Sequence, residues 1–159
     1  AAAEALALPA GLVAVAGPVL SVSLDDAPPG AARGPGAPPA PNDLVVHQQD
    51  VEAVVNALWA GGADAMTIMG ERVIATTAVR CVGNTLLLHG AVYSPPYVIA
   101  AIGDARRLKA ALDASSGVAL YRQYVQAYGL TYDVSAGRSK VLPAYAGSLE
   151  FTHARAGHS

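Results

Sequence analysis

The chain is poor in the residues that most site chemistry needs. Its 159 residues include a single cysteine, so neither an internal disulfide nor a multi-cysteine zinc site is available. Charged side chains make up only 14%, and the formal net charge is −2. Sequence-independent attraction to nucleic acid or to anionic lipid therefore has no electrostatic source. The four histidines are scattered, without HxH or HExxH spacing, and no GxGxxG or GxxxxGK[ST] loop is present. No heptad run of a coiled coil is visible. These absences remove the common metal, dinucleotide and phosphate-loop signatures, and no metal or other cofactor is expected.

A spanning helix is also missing. Residues 5–24 carry no charge, but Pro9, Gly11, Gly17 and Pro18 break any continuous helix there. Residues 20–24 alternate apolar and polar, which is the period of a strand. No basic region precedes this stretch, so a secretory signal is not expected.

What the chain does have is apolar mass. Hydrophobic residues reach 53%, enough for one packed domain at this length and against disorder. Alanine (34 residues), glycine (16) and proline (11) are abundant, and arginine outnumbers lysine eight to two. GC-rich codons encode these residues, which points to a high-GC bacterium.

Periodicity then divides the chain. Residues 1–8 are helix-prone, and 18–25 read as a first strand. Residues 27–41 hold six prolines, three glycines and five alanines, which gives a long loop. A short strand is predicted at 44–46. Val51, Val54, Val55 and Leu58 follow at i, i+3, i+4 and i+7, so a helix begins near Gln49 and ends at Gly61-Gly62. Strands are predicted over 65–69, 73–82 and 85–89. The near-continuous apolar run 97–102 reads as a buried central strand. Asp104 is a good N-cap for a helix over 105–113, and Ser115-Ser116-Gly117 separates it from a second helix over 118–127. Tyr121, Tyr124, Val125 and Tyr128 form the apolar stripe of that second helix, and Gly129 stops it. A last strand over 130–135, a short extension at 141–142 and a polar tail over 148–159 complete the chain. The order implies one α+β domain over 1–147, an open sheet of ferredoxin-like or split β-α-β type with helices packed on one face.

Candidate chemistry is sparse. Cys81 with His47 or His89 is the one thiol–imidazole combination, the basis of a remote cysteine-hydrolase reading. The apolar surroundings of Cys81, residues 78–82, favour core packing instead. Asp25-Asp26 reads as a solvated turn. Arg72 at a strand start suits an anion, or equally Glu71, Asp64 or backbone carbonyls. The tyrosine stripe and Trp59 suit packing on the sheet, with an oligomer or partner surface as the alternative.

Four stretches together resemble one family. They are the 10–26 region with Ala10-Gly11-Leu12, Gly17-Pro18 and Leu24-Asp25-Asp26; residues 54–68, VVNALWAGGADAMTI, with Arg72; residues 80–85, RCVGNT; and residues 96–104, PYVIAAIGD, with Leu108. The pattern is similar to the bacterial "domain of unknown function 881" family and covers roughly residues 10–145. Met69 departs from it, standing where many members have a polar residue before the glycine. The resemblance implies an N-terminal transmembrane helix and a coiled coil preceding such a domain, neither of which is seen in this chain. It also implies an extracytoplasmic position at the cell membrane and an envelope or cell-division association. No enzymatic activity is implied. The expected role is a non-catalytic interaction domain whose partners are envelope or division membrane proteins, or further copies of itself. A small-ligand sensor is the alternative. Asn56, Arg72, Asn84 and Asp104 are the candidate binding residues, with turn-knitting hydrogen bonds as their competing role.

Overall fold

Alternation builds the first strand. In β1 (Val15–Asp25) the side chains of Leu20, Val22 and Leu24 are buried, while Ser21 and Ser23 between them face the opposite side of the sheet. The computed structural model describes residues 11–30 and 38–147; the predicted 1–8 helix and the 148–159 tail lie outside them. After β1 come a 3-10 turn (Pro41–Leu44), α1 (Gln48–Ala60), β2 (Ala65–Ile68) and β3 (Glu71–Arg72). Then follow β4 (Val79–Val82), β5 (Thr85–Leu88), β6 (Ala91–Tyr93), β7 (Tyr97–Ile102), α2 (Ala105–Ala114), α3 (Ser116–Tyr128) and β8 (Thr131–Leu142).

The molecule is mixed α+β, with three α-helices and two antiparallel sheets among the described residues. The larger sheet has the order β3-β2-β7-β1-β8. β7 therefore separates β1 from β2, although those two are consecutive strands in the chain. As the apolar run predicts, β7 is central and nearly all buried. The smaller sheet, β4-β5-β6, is an antiparallel meander.

One apolar cluster joins the helices to one face of the larger sheet and to the inner face of the smaller one. It includes Val22, Leu24, Met66 and Ile99 from strands, and Val51, Leu58, Leu108, Leu112 and Tyr121 from helices. Leu86 and Leu88 bring in the small sheet. On the other face Val19, Ala65, Ala100, Ile102 and Leu142 form a second, smaller cluster.

Several elements differ from the sequence expectation. Residues 44–46 are not a strand, because Pro41 opens a 3-10 turn whose Asp43 carboxylate accepts the Ala40 N–H at 3.0 Å. The 73–82 run is not one strand. Its β-branched residues fold into a turn in which the Thr77 hydroxyl accepts the Ile74 N–H at 2.8 Å, and only Val79–Val82 is extended. β6 was not foreseen. Conversely, 131–142 form one continuous strand, because β1 pairs with it from Thr131 to Leu142 across a register shift near Gly17.

Candidate functional site

The four candidate binding residues occupy separate places. Arg72 lies on β3 opposite Thr67 and is 2% exposed. Its guanidinium donates to the Val13 carbonyl at 2.7 Å and the Pro143 carbonyl at 3.2 Å. Burial lowers its pKa. The carbonyl reading of Arg72 is thus realised: it ties the segment entering β1 to the segment leaving β8. The Tyr145 N–H donates to the Gly11 carbonyl at 2.7 Å beside it. Asp104 caps α2, its Oδ1 accepting the Arg107 N–H at 3.0 Å. Asn84 is exposed in the β4–β5 turn. Asn56 is exposed on α1 and lines a shallow groove against Ser115, Ser116 and Gly117 at the α2–α3 junction. The structure does not bring the four together.

Beside Arg72 lies a groove of about 460 Å³ that sequence reasoning missed, lined by Glu71, His89 and residues 143–147, Tyr145 among them. The His89 ring stands edge-on to Tyr145 with centroids 5.1 Å apart. His89 Nε2 is 3.0 Å from the Thr77 hydroxyl, and Nδ1 is 3.8 Å from Glu71 Oε2. That carboxylate oxygen is closed off from solvent and makes no hydrogen bond among the described residues. The signal was weak because Glu71, Thr77, His89 and Tyr145 are far apart in sequence and fit no short motif.

The cysteine expectation needs correction. Cys81 is exposed rather than packed in the core. β4 runs past the first turn of α1, where Cys81 Sγ accepts the Gln48 N–H at 3.3 Å and Gln48 Oε1 accepts the Cys81 N–H at 3.0 Å. The thiol's hydrogen bond thus comes from a backbone amide and not from an imidazole. Asp25-Asp26 does more than end a strand: Asp26 Oδ1 accepts the Val46 N–H at 2.8 Å and closes the base of the proline-rich loop. Among the described residues no three His, Cys, Asp or Glu side chains gather as metal ligands would.

The tyrosine stripe also divides. Tyr121 is buried, and its hydroxyl donates to the Thr131 carbonyl. Burial raises its phenol pKa, with the Asp50 charge adding to this. Tyr124 turns outward at 37% exposure, and Leu120 one helical turn earlier is 54% exposed. Tyr128 packs against Tyr124 with ring centroids 5.7 Å apart. Leu120 and Tyr124 form one wall of a groove of about 410 Å³ whose other wall carries Asp43, Val45, His47 and Asp50. Asp50 Oδ2 accepts the His47 N–H at 2.8 Å, and burial is the main cause of its raised pKa.

The family model for a bacterial protein of unknown function (DUF881) matches residues 2–155. The chain belongs to the DUF881 family. UPF0749 protein Rv1823 of Mycobacterium tuberculosis (strain ATCC 25618 / H37Rv) is 31% identical over 89% of this chain and 47% of its own length. UPF0749 protein Rv1825 of the same organism is 35% identical over 71% of this chain and 35% of its own length. UPF0749 protein YlxW of Bacillus subtilis (strain 168) is 30% identical over 48% of this chain and 33% of its own length. The DUF881 chain spans about half the length of the first of these relatives. A crystal structure of an uncharacterized conserved protein from Mycobacterium tuberculosis superposes with a TM-score of 0.73 at 26% identity, covering 99% of this chain and 100% of that one. No helix among the described residues of the DUF881 chain is long and apolar enough to cross a membrane.

Proposed function

We propose that this DUF881 chain is a non-catalytic interaction domain on the extracytoplasmic side of a membrane-anchored envelope or cell-division-associated protein. The observation that carries the interaction reading is the open groove walled by Leu120 and Tyr124. Large apolar side chains contiguous with a groove gain roughly 25 cal/mol per Å² when a partner covers them. The location rests on the family pattern of an anchor and coiled coil preceding such a domain. The test is crosslinking and pull-down of the full-length protein in its native membrane, with protease added from outside. Accessible protein that captures an envelope or division protein, and loses it on Leu120→Ser with Tyr124→Ser but not on Asp104→Asn, supports the reading. A protease-protected domain with no captured partner overturns it.

The groove at Glu71, His89 and Tyr145 favours a second reading, a small-ligand sensor. A ligand bound only by the native state must raise its stability. A metabolite screen by thermal shift that yields no stabilised condition rejects this reading. A hit that survives Glu71→Gln and Tyr145→Ala together rejects it for this groove.

A further inference from the structure

We infer that the chain forms a two-fold dimer in which the outer face of the β4-β5-β6 sheet of each copy docks on the other copy's groove beside α3. The inference rests on the interaction reading of that groove and names its occupant as a second copy.

Register defines the donor surface. Arg80 lies opposite Leu87, and Leu87 opposite Val92, so all three share one face of the small sheet with Val82. The alternate residues Val79, Leu86 and Leu88 point into the core. On the outer face Val82 is 47% and Val92 58% exposed. Arg80 is exposed and has no ion-pair partner among the described residues. This surface is apolar with one uncompensated cation.

The groove is its complement. Leu120 and Tyr124 supply an apolar wall, and Asp43 and Asp50 face it. Each carboxylate is held by one backbone N–H, from Ala40 and His47 respectively. Neither has a lysine or arginine within ion-pair distance among the described residues. A copy that covers Leu120 and Tyr124 with Val82 and Val92 also brings Arg80 to these carboxylates. Opposite charges so placed select the partner and its orientation.

Position favours closure over a growing chain. The small sheet is tied to the start of α1 through Cys81 and Gln48, and Asp50 lies in the first turn of the same helix. The two surfaces thus flank one helix end. A two-fold axis there makes both contacts at once, and an isologous contact closes at two copies.

The experiment is sedimentation equilibrium of the purified protein across concentration, with Arg80→Glu and Asp43→Lys variants. Both positions are at the surface, and circular dichroism checks that each variant is folded. The wild type is expected to show a monomer–dimer equilibrium that weakens at high salt. Each single variant is expected to raise the dimer Kd by about tenfold or more. An equimolar mixture of the two variants should recover dimer. In one contact of the mixed dimer the introduced glutamate would face the introduced lysine, and in the other Arg80 would face Asp43. A wild type that stays monomeric to about 1 mM overturns the inference. So does a dimer indifferent to both charge reversals, or a mixture no better than its components. If the monomeric protein still captures another partner through Leu120 and Tyr124, the inference fails while the interaction reading stands.

Discussion

Arg72 shows how one residue can decide the order of two distant segments. Its carbonyl partners are 59 and 71 positions away in sequence. Charge-assisted bonds of this kind contribute about 1.5–3 kcal/mol each, and removal of the donor takes the guanidinium from both carbonyls at once. Arg72→Met is expected to destabilise the domain by roughly 3 kcal/mol, read as a lower urea midpoint. Arg72→Lys should recover only part, since an ammonium lacks the guanidinium fork. An unchanged midpoint for Arg72→Met would mean the two segments are held without it. Gly61 is decided by close approach rather than by its φ of −76°. A Cβ there would stand 2.9 Å from Ala111 Cβ and 3.1 Å from the Arg107 carbonyl. Gly61→Ala is therefore expected to push α1 from α2 and cost about 1–3 kcal/mol in thermal or urea unfolding.

At the scale of elements, caps set where the helices end. Ser115 closes α2 and opens α3, its Oγ accepting the Val118 N–H at 3.2 Å. Asp104 does the same for the start of α2. Ser115→Ala and Asp104→Ala should each cost about 1 kcal/mol in chemical denaturation, while Asp104→Asn keeps an acceptor and costs a few tenths. Losses near zero for the alanine variants would assign the helix ends to packing alone. These boundaries were legible in sequence because caps are local signals, as is Gly129, which takes the left-handed conformation at φ 83° after α3. The central position of 97–102 was legible too, from its unbroken apolar run. Elements decided by partners were not. The Ala136–Lys140 portion of β8 carries no strand pattern and is extended because β1 lies beside it. Tyr124 fits the inward period of α3, yet Tyr121 and Val118 already fill the core side. The candidate site fared similarly: Arg72 and Asp104 were found as polar groups at element edges, but Glu71, Thr77 and His89 meet only after two turns fold.

At the scale of the whole molecule, buried phenols link stability to alkaline pH. Burial, with the charges of Asp26, Cys81 and Asp25 behind it, pushes the Tyr97 phenol up to about 12. Tyr121 moves in the same direction. Above about pH 10 an unfolded tyrosine loses its proton while the folded one keeps it. The native state then binds more protons than the unfolded one, so stability falls as pH rises. The contribution of Tyr97 is intact below pH 10 and is lost as pH climbs towards 12. The unfolding free energy, read from denaturation curves, is expected to drop by up to about 1.4 kcal/mol per pH unit for each such phenol. Tyr97→Phe should flatten the fall, and an equal slope in that variant would remove Tyr97 from the account. Among the described residues its hydroxyl donates one long hydrogen bond, to the Tyr93 carbonyl at 3.4 Å, so the variant should fold.

The pairing of β1 with β8 has a mechanical consequence. The two strands are antiparallel neighbours, and Val15 sits opposite Leu142, so the chain enters and leaves them at the same end. Tension applied across those two points loads the ladder one rung at a time instead of shearing all its rungs together. The strands would peel from that end at low force. When the pull is applied outside Val13 and Pro143 instead, it must also break the grip of Arg72 on those two carbonyls, which makes this side chain the latch of a zipper.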